Sequence, residues 1–108
     1  MRLYIKRRNS EVDAVAEYDV ESKVFVVLKG SKVSKNIAHS EKFRGTKSIE
    51  KARAEYVRDC KVIKDAVFKS SSTAANFVTG TSTNGLMAWK NEDGIKLKQL
   101  ISEVEMHE

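Results

Sequence analysis

The sequence predicts an α+β fold, a small antiparallel sheet with two or three helices packed on it. Three strand-like runs stand close together within residues 2–28 of the 108-residue chain. Strands this close pair antiparallel, because a parallel pair needs a crossover of about a dozen residues or more. Later segments show the apolar spacing of helices. The length is typical of a single domain, which we expect to span residues 1–108.

The three strands are predicted at residues 2–6, 12–18 and 23–28. In the first, Leu3 and Ile5 alternate with polar residues and therefore share one face. The third is rich in β-branched and aromatic residues and is followed by Gly30, which favours a turn.

A first helix is predicted to begin at the cap residue Ser48. Its apolar face is expected to hold Ile49, Ala52, Tyr56, Val57 and Cys60. The opposite, solvated face would hold Glu50, Lys51, Arg53, Glu55 and Arg58. The position of Cys60 among the apolar residues indicates an inert, buried thiol.

One or two short strands should follow, with Val62, Ile63, Val67 and Phe68 interrupted at Asp65. Ser71 or Ser72 is then expected to open a second helix. Its inner face would be Ala74, Ala75, Phe77 and Val78, and Gly80 would end it in the left-handed conformation.

The dipeptide Asn84-Gly85 predicts positive φ or a tight turn. Beyond it, Met87 and Trp89 alternate as in a strand, and residues 91–94 form a further turn. A short terminal helix is predicted from its apolar residues, which are Ile95, Leu97, Leu100, Ile101 and Val104.

Composition and charge indicate a soluble cytoplasmic protein. Cys60 is the single cysteine, so no disulfide can form within the chain. The charged start is unlike a signal peptide, and no run approaches the ~20 apolar residues that span a membrane. The expectation is therefore no membrane association.

The net charge of +5 lies in the first part of the chain. Residues 1–47 hold 11 basic and 6 acidic residues, whereas residues 48–108 hold 9 of each. The predicted phosphate contacts are Lys29, Lys32, Lys35, Lys42, Arg44 and Lys47. Such clustering is typical of a nucleic-acid partner. A solvated loop that keeps the protein soluble is an equal alternative.

The sequence contains no recognisable set of catalytic residues, and no enzyme activity, catalytic residue or cofactor is predicted. His39 and His107 have no partner at the spacing of metal ligands, so no metal site is expected either.

The residues around the second helix allow two interpretations each. The hydroxyls of Ser70 and Ser72 can bind an anion at the helix start, or they can simply cap the helix. Trp89 can stack on a base or lie in the core. Asn84 can contact a base edge or serve as a turn residue.

Three motifs in order resemble the family called domain of unknown function 4357. They are the run from Val24 to Ser31, the serine and alanine pattern from Phe68 to Ala75, and the pattern Gly80, Asn84-Gly85, Trp89-Lys90, Gly94, Leu97. The resemblance covers about residues 14–100. Two positions differ from the expected patterns. Ser71 replaces a proline of the family motif, and Leu86 replaces the bulky aromatic residue that often follows Asn-Gly in the similar RAMA domain.

The resemblance implies a setting and a partner. Members of this family sit at the C-terminus of GIY-YIG nuclease-like proteins and in other bacterial or archaeal proteins. They are also similar to the RAMA domain found beside restriction enzymes and DNA methyltransferases. The expected function is therefore a non-catalytic nucleic-acid-binding accessory module in restriction or DNA repair, with DNA favoured and a nuclease or methyltransferase as a possible protein partner. The alternative is an assembly module that binds an acidic protein.

Overall fold

A computed structural model of the chain describes residues 1–9, 11–38 and 46–106, with side chains as far as residue 102. The strands are β1 (Arg2–Arg7), β2 (Val12–Asp19), β3 (Val24–Val27), β4 (Val57–Arg58), β5 (Lys61–Val62) and β6 (Ala66–Phe68). The helices are α1 (Thr46–Tyr56), α2 (Ser71–Thr79), α3 (Gly85–Ala88) and α4 (Leu97–Met106). The predicted α+β class is confirmed.

The main sheet is antiparallel, in the order β1-β2-β3-β6. The predicted meander of the first three strands is therefore confirmed. Leu3 pairs with Ala16, and Ala16 pairs with Val27, so these side chains lie on one buried face of the sheet.

Helix α2 covers that buried face. Ala74, Ala75, Phe77 and Val78 are all buried, as their spacing predicted. The ring of Phe77 lies 4.9 Å from that of Phe68, centroid to centroid, and joins the helix to β6. The small alanines allow close approach, because they place only one methyl group each between helix and sheet.

Both ends of α2 are as predicted. Ser70 is the N-cap, and its Oγ accepts a hydrogen bond of 3.1 Å from the Thr73 N–H. Gly80 ends the helix with φ of 76°. A side chain there would also collide with the Asn36 carbonyl, so only glycine fits.

The first helix differs from its prediction at both ends. It begins at Thr46, two residues before Ser48, and it ends at Tyr56. Val57 belongs to β4, and Cys60 lies in the turn between β4 and β5 rather than on a helix. Asp59 and Cys60 both have positive φ, 53° and 62°, which is the conformation of a tight hairpin turn. The thiol is half-buried.

The chain turns tightly at Asn84-Gly85, but without the positive φ that this dipeptide favours. Asn84 has φ of −75° and caps α3, the short helix that Gly85 begins. Met87 therefore lies on a helix, not on a strand. Gly85 is needed for another reason, because a Cβ atom would overlap the backbone of Ser71.

The terminal helix and the turn before it are confirmed. The Asn91 Oδ1 accepts hydrogen bonds from the N–H groups of Asp93 and Ile95, which closes the turn. Gly94 follows with φ of 80°. In the described part of the chain, no helix combines the length and the apolar character needed to cross a membrane.

The opposite face of the main sheet lies uncovered by any described helix. It carries Tyr4, Val15, Val26 and Leu28, all half-buried, and Val67, which is 57% exposed. Arg2 and Glu17 flank them and form an ion pair of 2.6 Å.

Candidate nucleic-acid interface

Residues 30–34 bridge two parts of the fold. On one side, Lys32 and Asp13 of β2 exchange backbone hydrogen bonds of 2.8 and 3.0 Å. On the other side, the Ser31 carbonyl accepts from the Val62 N–H and the Val33 N–H donates to the Cys60 carbonyl, each at 2.9 Å. The segment is thus fixed between the β1–β2 hairpin and the β4–β5 hairpin.

This arrangement forms a cavity of about 580 Å³, which we call the basic groove. Its lining comprises Lys6, Arg7, Arg8, Glu11, Val12, Asp13, Lys32, Val33, Lys35, Asp59, Cys60 and Lys61. The cations come from three separate stretches of sequence, namely the end of β1, the bridging segment and β5. They are brought together only by the strand pairing just described.

The described lining of the groove carries a positive net charge. Its six cations face three carboxylates, which gives a net charge of +3. Within the described residues, none of these six cations forms an ion pair. Their charge is therefore available to a ligand.

Arg53 fixes the far end of the bridging segment, although the sequence placed it on the solvated face of α1. It is buried, because its guanidinium lies between α1 and the end of α2. Its Nε donates to the Phe77 carbonyl at 3.0 Å, and its Nη2 donates to the Val78 carbonyl at 3.2 Å. Its Nη1 and Nη2 bond to the carbonyl and hydroxyl of Ser34 at 2.6 and 2.9 Å.

Among the described residues, carbonyl and hydroxyl oxygens hold this arginine, and no carboxylate does. Burial lowers the pKa of the Arg53 guanidinium, yet the group stays charged because arginine does not lose its proton in proteins. The carbonyls at the C-terminal end of α2 carry partial negative charge and stabilise it. Arg53 thus anchors Ser34, the neighbour of the groove residue Lys35.

The predicted phosphate contacts divide into three groups. Lys32 and Lys35 line the groove. Lys29 and Lys47 are exposed outside it, and Lys47 lies in the first turn of α1 rather than in a loop. Lys42 and Arg44 lie outside the described residues.

Sequence reasoning missed four groove cations, Lys6, Arg7, Arg8 and Lys61. The run from Lys6 to Arg8 was a signal in itself, as three consecutive cations at a strand end. Lys61 had none, since its place in the groove depends on its pairing with Lys32.

The motif side chains around α2 and α3 serve the fold. The Ser72 Oγ accepts a 3.1 Å hydrogen bond from the Gly85 N–H, and the Asn84 Oδ1 accepts one of 3.0 Å from the Leu86 N–H. With the Ser70 cap, each predicted motif contact is engaged in joining or capping helices. We call this region the helix junction, defined by Ser70, Ser71, Ser72, Asn84, Gly85 and Trp89.

Trp89 must be removed from the predicted interface. It is 0% exposed, and its Nε1 donates a 3.0 Å hydrogen bond to the Ser71 carbonyl. Its ring packs 5.3 Å from that of Phe25. A ring enclosed in this way cannot stack on a base, so the core interpretation is correct.

The described residues contain no group of three or more His, Cys, Asp or Glu that could hold a metal ion.

Comparison with protein-family models identifies the family of the chain. The model of the domain of unknown function DUF4357 matches residues 3–101. The chain belongs to the DUF4357 family. No curated protein and no solved structure matches it.

The family match and the geometry coincide in one respect. The matched range contains both the helix junction and the whole basic groove. The second and third DUF4357 motifs supply the junction residues, which shape the fold, whereas the six described groove cations all lie outside the three motifs.

Proposed function

We propose that this DUF4357 domain is a non-catalytic module that binds nucleic acid through the basic groove, with DNA as the favoured ligand. One observation carries the proposal. Cations from three segments that are distant in sequence converge on one groove, and none is neutralised by an ion pair within the described residues.

The groove chemistry suits the phosphate backbone. Lysine and arginine side chains neutralise phosphates, and the release of counterions then supplies most of the affinity. Among the described residues, no aromatic side chain lines the groove. Binding there should therefore depend little on base sequence, because phosphate contacts carry no sequence information.

The same proposal includes a biological setting for the domain. The resemblance to domains beside GIY-YIG nucleases, and to the RAMA domain of restriction systems, supports a role in restriction or DNA repair. A nuclease or methyltransferase is the proposed protein partner. The single cysteine suits a reducing cytoplasm.

The uncovered sheet face supports a second function, assembly with another protein. Val67 is 57% exposed and borders the half-buried Val26. Apolar surface of this kind is typical of protein contacts. The assembly module of this alternative would bind an acidic partner through the groove cations and use the sheet face for apolar contact.

A titration with oligonucleotides tests the two functions. Duplex, single-stranded and methylated DNA and an RNA strand are titrated at two salt concentrations. We expect salt-sensitive binding with a slope of log K against log salt of roughly −3 on duplex DNA, from about three phosphate contacts at −0.9 each. Absence of binding to every oligonucleotide at low salt would overturn the proposal and favour the assembly function.

A further inference from the structure

A second cavity adjoins the basic groove at the outer edge of β1. Tyr4 of this edge strand exchanges backbone hydrogen bonds of 2.7 and 3.1 Å with Lys90, which attaches the segment after α3 to the sheet. The space beside this contact, which we call the edge cavity, has a volume of about 650 Å³. It is lined by Tyr4, Ile5, Lys6, Arg7, Met87, Ala88, Lys90, Asn91, Glu92 and Gly94.

The edge cavity differs from the groove in its chemistry. It offers apolar and aromatic surface, since Met87 is 40% exposed and Tyr4 is half-buried. It also offers an amide, because the Asn91 Oδ1 is engaged in the turn while its Nδ2 makes no hydrogen bond among the described residues. A volume of this size is typical of sites for small organic molecules.

The two cavities lie next to each other. Lys6 and Arg7 line both of them, so the end of β1 forms a shared wall. A nucleic-acid strand whose phosphates lie in the groove would therefore carry its next nucleotide toward the edge cavity.

We propose that the edge cavity receives an unpaired base of a nucleic-acid strand whose phosphates occupy the basic groove. The thioether of Met87 and the ring of Tyr4 would contact the face of the base, and the Asn91 amide its polar edge. A base inside a duplex cannot enter, because both its faces are stacked and its edge is paired. This inference rests on the proposed function and adds a preference for unpaired nucleotides.

Met87 and Leu86 provide a matched pair for the test. They are neighbours on α3 and are 40% and 37% exposed, but only Met87 lines the edge cavity. Met87→Ser and Leu86→Ser therefore remove similar apolar surface at sites where neither is buried in the core.

The affinities of both variants and of the unmodified protein are measured for a single strand, a paired duplex and a duplex with a one-nucleotide bulge. We expect Met87→Ser to weaken binding to the single strand and the bulged duplex by roughly three- to tenfold, the size of a sulfur–aromatic contact. Binding to the paired duplex should not change, and Leu86→Ser should change none of the three. A loss confined to the bulged duplex would identify a base extruded from a helix as the occupant, whereas a loss confined to the single strand would identify a single-stranded ligand.

The outcomes separate this inference from the proposed function. If the protein binds oligonucleotides and Met87→Ser behaves as Leu86→Ser does, the edge cavity holds no base and the inference is wrong, while the groove remains the binding site. An equal loss on the paired duplex would also contradict it, since that duplex offers no unpaired base. If no oligonucleotide binds, both proposals are wrong.

Discussion

At the helix junction the polar groups bond to other groups of the protein, whereas in the basic groove the cations remain unpaired in the described structure. The Ser72 hydroxyl, the Asn84 amide and the Trp89 indole each bond to backbone of a neighbouring turn or helix. Lys32 and Lys61, by contrast, pair through their backbones and leave their charges exposed. The residues with the strongest sequence signal thus build the fold, and those with a weak signal form the candidate site.

Arg53 should give the largest effect on stability, because it joins α1 and Ser34 to the C-terminal end of α2. Arg53→Met removes the guanidinium donors to the carbonyls of Phe77 and Ser34 and leaves the Val78 carbonyl with the Ser34 N–H alone, so we expect the free energy of unfolding to fall by about 3 kcal/mol. Arg53→Lys should recover part of the loss, since an ammonium cannot reproduce the fork of donors. Urea unfolding measures both, and an unchanged midpoint for Arg53→Met would contradict the role assigned to the guanidinium.

Gly85→Ala tests the close contact within the helix junction. The added Cβ would overlap the Ser71 backbone, and we expect a loss of about 2 kcal/mol in unfolding free energy. Gly94→Ala is the control, because its Cβ meets no atom within 4 Å and its φ of 80° leaves only a conformational cost of about 1 kcal/mol. Equal losses for the two variants would show that the Ser71 backbone does not restrict Gly85.

Trp89→Phe tests whether the helix junction contributes to stability but not to nucleic-acid binding. It keeps an aromatic ring in the core but removes the donor to the Ser71 carbonyl, so a loss of about 1–2 kcal/mol is expected. The affinity of the folded variant for oligonucleotides should match that of the unmodified protein. A folded Trp89→Phe protein with altered base preference would restore this tryptophan to the interface.

Variants that replace groove lysines by uncharged residues should have the smallest effect on stability. Lys32, Lys35 and Lys61 are exposed, and their replacement by glutamine should change the unfolding free energy by no more than about 0.5 kcal/mol. Thermal unfolding of the triple variant checks this. A larger loss would mean that these side chains support the fold rather than bind a ligand.

Local patterns in the sequence predicted the sheet meander, α2 and the caps of α2. Each depends on residues a few positions apart, such as Ser70 with Thr73 or the spacing of Ala74 and Phe77. Asn84-Gly85 lacks the positive φ that the dipeptide favours, because a tertiary contact with Ser71, not φ, requires the glycine.

The groove could be predicted only in part. Lys32 and Lys35 were found from local charge density, but Lys61 joins them through a strand bridge that local patterns do not encode. Cys60 was misplaced because α1 ends at Tyr56, earlier than the apolar spacing indicated. Arg53 lies within α1 as expected, but it faces the end of α2 instead of solvent. A charge at helical spacing cannot by itself reveal that carbonyls from α2 will surround it.

The most direct test of the account is the salt dependence of duplex binding for two triple variants of equal charge. One replaces Lys32, Lys35 and Lys61 by glutamine, and the other replaces Lys51, Lys69 and Lys98, which are exposed and lie outside the groove. We expect the groove variant to reduce the magnitude of the slope of log K against log salt by about 1–2, at roughly 0.9 per lost phosphate contact, because Lys6, Arg7 and Arg8 remain. The control should keep the slope of the unmodified protein. Equal slopes for the two variants would contradict the central claim, because binding would then follow net charge and not the basic groove.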